Sequence, residues 1–315
     1  MPVVSGLSAI VGYGRAQRAA AAPPPGSLPA YYTSNSGYLL SYVAFSANAT
    51  LIDSVNIATG SPAIRTFTGI YTSPRYWNLS HDKDLDSNIY YGVGQTGGAL
   101  MKMTFPKGGG GVTNFTLFTD SGIPVTIIST AYIPICMWTG TGYGAVCIGG
   151  FSSNTIRVLP FNSTKTGVTG AYSVTWSGAE IYGVEVVPKA ASGFNNNYGL
   201  AYSRNPKTMT SWTVNMDTAT WSNKATDSSY SSGVTGPSNG DAMCYYPIGK
   251  SIFTGDPDTG TNRVAMSDSS TAKVYVWTIT ESGTSIVWTY LKQVTVQANG
   301  ANPYHLSTAA YNAIS

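Results

Sequence analysis

The stretch GYLLSYV, Gly37 to Val43, returns four times in altered form along the chain. NIYYGVG runs from Asn88 to Gly94, GYGAVCIG from Gly142 to Gly149, NYGLAYS from Asn197 to Ser203 and GKSIFTG from Gly249 to Gly255. The starts at 37, 88, 142, 197 and 249 lie 51, 54, 55 and 52 residues apart. A steady period of this size is the mark of a repeat architecture, in which one small unit buries its apolar faces only against its neighbours.

Three further segments accompany each copy in constant order. Alternating stretches follow at 51–58, 99–105, 155–161, 208–216 and 272–279, with apolar and polar residues in the period-two pattern of a strand. A third set lies at 64–71, 113–119, 171–176, 220–226 and 286–296. A fourth, at 75–79, 132–138, 182–187 and 242–247, leads into the next repeat, and its last copy, Tyr304 to Tyr311, falls near the end of the chain. Clusters such as Asn195-Asn196-Asn197, Gly108 to Gly111 and Asp256 to Gly260 punctuate them with residues that tolerate tight turns.

Four short strands per repeat of about 50 residues is the arithmetic of a β-propeller blade. The fold expected is therefore all-β, with five four-stranded blades over 37–315; six is the alternative if one long blade conceals two. Glycine within the recurring strand suits crowded strands near a central axis. The first repeat lacks a leading strand, and Asn302 to Ser315 is a spare one. A last strand that completes the first blade would tie both ends together and leave no open edge at the seam.

Composition agrees with this class. Charged residues make up 10% of the chain and the net charge is +3, while the hydrophobic fraction is 43%, with 22 Tyr, 9 Phe and 7 Trp. That is ample material for a core. The scattered Lys and Arg form no stripe for nucleic acid, and no apolar run approaches the roughly 20 residues of a membrane helix. Three cysteines do not make a disulfide framework. Cys136 and Cys147 flank the turn Thr139 to Gly142 symmetrically, so a hairpin would set them opposite each other; they also read as two small apolar thiols in buried strands.

Residues 1–36 stand outside the repeat. Met1 to Ile10 is mildly apolar, Arg15 and Arg18 follow it, and Ala19 to Gly26 reads as a semi-rigid polyproline-type linker. The basic residues come after the apolar part, the reverse of a secretory leader, so none is expected. Val3, Val4, Leu7, Ile10, Val11 and Tyr13 are too few for a domain but suffice to fill grooves on a partner, with Arg15 and Arg18 pairing carboxylates at the groove mouth.

Arm, linker and low-charge β-rich body together resemble the accessory virion proteins of tailed bacteriophages, such as head fibres, decoration proteins and tail-fibre subunits. The resemblance is one of organisation across the whole chain. It implies a virion location, attachment to other virion proteins through the arm, membership of a larger assembly, and outward display of the propeller for decoration or host-surface adhesion. The rival readings are a secreted, extracellular lectin and a glycoside hydrolase.

For the lectin, Tyr31, Tyr32, Tyr230, Tyr245 and Tyr246 lie in or near expected loops, where rings can stack on sugar faces. For the hydrolase, carboxylates must face one another across a pocket. Glu185 and Asp241 lie in or beside innermost strands, and His81-Asp82 follows another. Most of these strands carry Tyr, Trp, Met or Val instead, so the chain is not expected to be an enzyme. Asp82, Asp84 and Asp86 alternate as in calcium loops, yet Ser87 stands where the loop needs Gly and no Glu closes it. Side chains satisfying turn amides are the better reading, and Asp256 to Gly260 is treated alike. No cofactor is expected. The runs beginning at Thr119 and Thr280 resemble the Asp-box turns of sialidase-like propellers without their full spacing. Asn48, Asn78, Asn114 and Asn162 open glycosylation patterns that a Ser/Thr-rich chain meets by chance.

Overall fold

A computed structural model describes residues 37–45, 48–53, 64–68, 80–81, 89–94, 99–104, 110–119, 135–138, 145–149 and 305–310. Between 155 and 295 it describes all but 163, 176–180, 205, 216–217, 219, 228–235, 239, 247–260, 269 and 272. Among the described residues no helix is long and apolar enough to cross a membrane.

The strands form five separate sheets, four of them antiparallel and four-stranded and the fifth an antiparallel set of four with one short strand added in parallel at its edge. Blade 1 holds β1 (Gly37–Phe45), β2 (Asn48–Asp53) and β3 (Ile64–Thr68), and blade 2 holds β4 (Ser80–His81), β5 (Ile89–Gly94) and β6 (Ala99–Thr104). A two-residue strand, β7 (Gly110–Gly111), pairs parallel to β3 on the outer edge of blade 1, and β8 (Thr113–Thr119) completes blade 2. Blade 3 runs β9 (Ile135–Trp138), β10 (Ala145–Gly149), β11 (Thr155–Pro160) and β12 (Tyr172–Thr175). Blade 4 is β13 (Ile181–Val187), β14 (Asn197–Arg204), β15 (Lys207–Asn215) and β16 (Thr220–Asp227), with the single helical turn α1 (Lys189–Ser192) after its first strand. Blade 5 is β17 (Gly240–Tyr246), β18 (Asn262–Asp268), β19 (Lys273–Ser282) and β20 (Ser285–Thr295).

The last strand, β21 (His305–Ala310), does not extend blade 5. It pairs antiparallel with β1, from Gly37↔Ala310 to Tyr42↔His305, and so supplies the innermost strand of blade 1, as the phase of the repeats predicts. The innermost strands form a cycle of neighbours: β4 packs on β9, β9 on β13, β13 on β17, β17 on β21 and β21 on β4. This is a five-bladed propeller.

Burial follows position in the blade. In blade 4 the innermost strand, IYGVEVV, is buried at every residue, whereas the outermost, TWSNKATD, is almost wholly exposed or half-buried. A continuous apolar run suits a strand covered on both faces, and a polar one suits an edge.

The core lies between blades. On β14, Tyr198, Leu200 and Tyr202 face blade 5 and pack with Met243, Val264 and Met266. Ala201 turns the other way and joins Ile156 and Val158 of blade 3. Between blades 2 and 3, Tyr91 and Leu100 meet Leu159 and Phe161. Among the described residues, Tyr90, Tyr91, Tyr198, Tyr202, Tyr245 and Tyr275 are among the largest fully buried side chains. Each such side chain withdrawn from water is worth about 1.5–3 kcal/mol.

Two expectations need correction. First, the recurring strand is the second in blades 1 to 4, one step out from the axis. Its glycine at 199 makes room for an outer side chain: a Cβ there would collide with the ring of Trp221 on β16. Trp221 fills that space and tilts against Trp212, with ring centroids 5.5 Å apart. The glycine that relieves crowding at the axis is Gly183 on β13, where a Cβ would stand 3.0 Å from Met243 Cβ of the next innermost strand.

Second, the fifth copy of the recurring strand is misplaced. Gly249 to Gly255 lies outside the described residues, and its position in blade 5 is taken by Asn262–Asp268. The even spacing of the first four copies hides a longer connection between β17 and β18. The segment expected at 75–79 likewise lies outside the described residues, and Ser80–His81 holds its place.

Candidate functional site

A polar seam crosses the interface of blades 4 and 5, and it begins at the acid buried in the innermost strand. Glu185 on β13 is 3% exposed. One carboxylate oxygen accepts from the backbone N–H of Val186 at 2.9 Å, and the other from that of Tyr245, on β17 of the next blade, at 3.0 Å. The innermost strands of two blades belong to different sheets and share no ladder, so this carboxylate takes the place of one.

Tyr245 carries the seam outward. Its hydroxyl donates to Asn262 Oδ1 at 2.9 Å, and Asn262 Nδ2 donates to the carbonyl of Ser192 at 2.8 Å. Ser192 ends α1, where its hydroxyl donates back to the Pro188 carbonyl at 3.0 Å and accepts from Phe194 N at 3.2 Å. Gly193, with φ of +73°, lets the chain turn out of the helix there.

The seam ends at Glu281, in the β19–β20 hairpin whose two-residue turn begins at Gly283. The Glu281 carboxylate receives the backbone N–H of Asn195 at 2.8 Å and of Asn196 at 3.1 Å, both asparagine side-chain amides, and the Tyr198 hydroxyl at 2.7 Å. Burial works against its charge, but the donors from Asn195, Tyr198 and Asn196 outweigh it and hold the carboxyl below the usual range. Burial, then the hydrogen bond to Glu281, push the Tyr198 phenol up to about 12.

A third carboxylate repeats the pattern. Asp268, fully buried, accepts from Ser238 N at 2.8 Å, Ser270 N at 2.9 Å and Ser270 Oγ at 2.6 Å, and so joins the approach to β17 to the β18–β19 turn. In each of these sites the acid caps backbone donors between segments. Charge-assisted bonds of this kind are the stronger class.

The sign of the Glu281 shift sets a pH dependence. A carboxyl whose pKa is depressed by folding stabilises fully above its unfolded value, near 4.5, and loses that contribution as pH falls through the lower folded value. Glu281→Gln should cost about 1–2 kcal/mol at neutral pH. It should also flatten the acid limb of stability below about pH 4.5. Urea denaturation at pH 7 and pH 3.5 checks both; an equal loss at the two values would count against the carboxylate clamp.

The residues singled out in the sequence are distributed otherwise than expected. Tyr245, taken as a sugar-stacking ring, is 2% exposed and belongs to the seam and the core, because an innermost strand is covered on both faces. Tyr246 ends β17, while Tyr31, Tyr32 and Tyr230 lie outside the described residues. So do the arm residues Val3, Val4, Leu7, Ile10, Val11, Tyr13, Arg15 and Arg18, and the acidic sets at Asp82, Asp84, Asp86 and Asp256 to Gly260.

Asp241 stands on β17, four residues before the Tyr245 that meets Glu185. The side chain of Asp241 lies outside the described residues, and the Glu185 carboxylate is engaged by the amides of Val186 and Tyr245. The Asn162 pattern is a turn: Asn162 Oδ1 accepts from Thr166 N at 2.9 Å and its Nδ2 donates to Thr166 Oγ1 at 3.2 Å. The Thr280 run is an ordinary hairpin end.

Asn262, Ser192, Asp268 and the role of Glu281 were missed. A polar residue inside an otherwise apolar strand, as in IYGVEVV or NRVAMSD, was the usable sign.

No family model and no curated protein sequence matches the chain. Solved structures do. A putative 6-phosphogluconolactonase from Bacteroides fragilis aligns over 86% of this chain and 70% of its own, at 13% identity and a TM-score of 0.46. The periplasmic gluconolactonase of Pseudomonas aeruginosa aligns over 84% and 81%, at 10% identity and a TM-score of 0.43. An auxiliary nutrient binding protein from Bacteroides thetaiotaomicron aligns over 87% and 67%, at 6% identity and a TM-score of 0.44. The expectation that this chain is not an enzyme is corrected by these likenesses, since two of the three proteins are named as lactonases. What the likenesses share with this chain is architecture; its chemistry has to be read from its own residues.

Proposed function

We propose that this propeller is the displayed part of a larger, virion-type assembly, held by residues 1–36 and presenting the ring for decoration or host-surface adhesion. The observation that supports this reading is the closure. β21 and β1 complete blade 1 between them, with Gly37 opposite Ala310, and all five sheets reach four strands without any residue before 37. The chain enters the ring at Gly37, beside the end of its last strand. A tether entering at one point leaves the remaining surface free for display.

The low charge of the chain, 10%, suits a surface that meets partners over wide areas. Six apolar side chains in the segment are worth roughly 1.5–3 kcal/mol each on burial. Ordering costs of about 1–2 kcal/mol per residue offset most of that. One arm would hold only modestly, and several arms on a symmetric partner would add avidity.

Deleting residues 1–26 tests the reading. The truncated protein should melt within about 1 °C of the full chain and fail to enter particles of the native source. Truncated protein that still assembles would overturn the anchoring role. Sugar binding on a glycan array would favour a lectin, and turnover of a sugar lactone would move the ring to catalysis.

A further inference from the structure

Blade 3 sets two of the three cysteines directly opposite one another. In the antiparallel pairing of β9 with β10, Cys147 is the register partner of Cys136, between the pairs Val146↔Met137 and Ile148↔Ile135. From this register we propose that Cys136 and Cys147 form a cross-strand disulfide under oxidising conditions, tying the innermost strand of blade 3 to the strand beside it. The inference is independent of the display reading.

Residues directly opposed in an antiparallel pair share a face of the sheet, with Cα atoms about 4.5–5.5 Å apart. A disulfide spans Cα separations of about 4.4–6.8 Å. A slip of one residue would send the two side chains to opposite faces. β10 itself is held on its other side by pairing with β11 at five consecutive positions, Ala145↔Pro160 to Gly149↔Ile156.

The third cysteine does not compete. Cys244, 1% exposed, lies on β17 of blade 5, where its register partner on β18 is Ala265. The pair 136–147 is therefore the only one that the described registers bring face to face.

The step needs an oxidant of the low-molecular-weight disulfide class, such as oxidised glutathione. The thiolate of one cysteine attacks a sulfur of that disulfide, expelling one small thiolate and leaving a mixed disulfide on the protein. The second cysteine's thiolate then attacks the protein-side sulfur and expels the other small thiol. The two cysteines lose two protons and two electrons, the small disulfide is reduced to two thiols, and one S–S bond joins residues 136 and 147.

β9 is the strand through which blade 3 touches both neighbouring innermost strands, β4 and β13. A bond from β9 to β10 resists peeling of that strand from the ring. In a reducing compartment the same hairpin would remain a dithiol.

The test equilibrates the purified full chain with oxidised glutathione, unfolds it in denaturant and tags its thiols with a maleimide. One tagged thiol per chain is expected, against three after treatment with dithiothreitol, with a peptide map joining 136 to 147. Reduction should lower the melting temperature by roughly 3 °C or more. Cys136→Ser and Cys147→Ser should each leave two tagged thiols after oxidation and lose the reduction-dependent shift, while Cys244→Ser should leave none and keep it. Three tagged thiols after oxidation, a bridge that includes Cys244, or cross-linked pairs of chains would overturn the proposal.

Discussion

Removal of residues 302–315 is expected to abolish cooperative folding of the whole ring. β21 pairs with β1 at six positions and packs on the innermost strands of both neighbouring blades, β17 and β4. Each ladder hydrogen bond contributes about 0.5–1.5 kcal/mol net. Six of them come to about 6 kcal/mol before the lost packing on β17 and β4 is added. Domains of ordinary stability have only about 5–15 kcal/mol in total. Without β21 the ring of innermost strands is open, and β1 presents an unpaired edge that can recruit other chains.

Circular dichroism and calorimetry should therefore find a broad or absent transition, with aggregation, in place of a single sharp one. A synthetic peptide of residues 302–315 added in trans should restore part of the transition by refilling the gap. A truncated protein that melts within about 2 °C of the full chain would mean that β21 does not close the ring.

The second large effect belongs to Glu185. Alanine there leaves the amides of Val186 and Tyr245 without the acceptor they share. A buried donor deprived of its partner costs about 1–3 kcal/mol, and the lost charge-assisted bonds act in the same sense. Glu185→Ala should thus lower stability by about 3–5 kcal/mol, read from urea unfolding midpoints at constant slope. Glutamine keeps one acceptor oxygen but turns an NH2 toward the other amide, so Glu185→Gln should recover less than half of the loss. A loss below about 1 kcal/mol for the alanine variant would show that other contacts hold β13 to β17.

Much of this architecture was legible in the residues themselves, because strand identity is a local property. The alternation in TIRVLP and the unbroken apolar run in IYGVEVV report which faces are covered, and the tight turn residues report where strands stop. The period of about 53 residues then implies five equal units, and the unpaired strand near the C-terminus implies a closing partner. Pairing of β21 with β1 follows from topology alone, since four-stranded blades leave it no other vacancy.

The tertiary structure decided what each polar residue does, because a hydrogen-bond partner 60 or 80 residues away leaves no trace in local spacing. In sequence Glu185 is an acid near an innermost strand with no visible partner, and only the fold brings Tyr245 N to it; Tyr245 stands near an expected loop, and only the fold buries it on an innermost strand. Glu281 and Asn195-Asn196 read as two unrelated turns, and only the packing of blade 5 on blade 4 makes them one clamp. The displaced strand of blade 5 failed for a related reason: Gly249 to Gly255 has the local pattern of the repeat, but the ladder with β17 is held by Asn262–Asp268. Local sequence sets the propensity of a segment to extend, and competition for a partner across the sheet selects which extended segment is used.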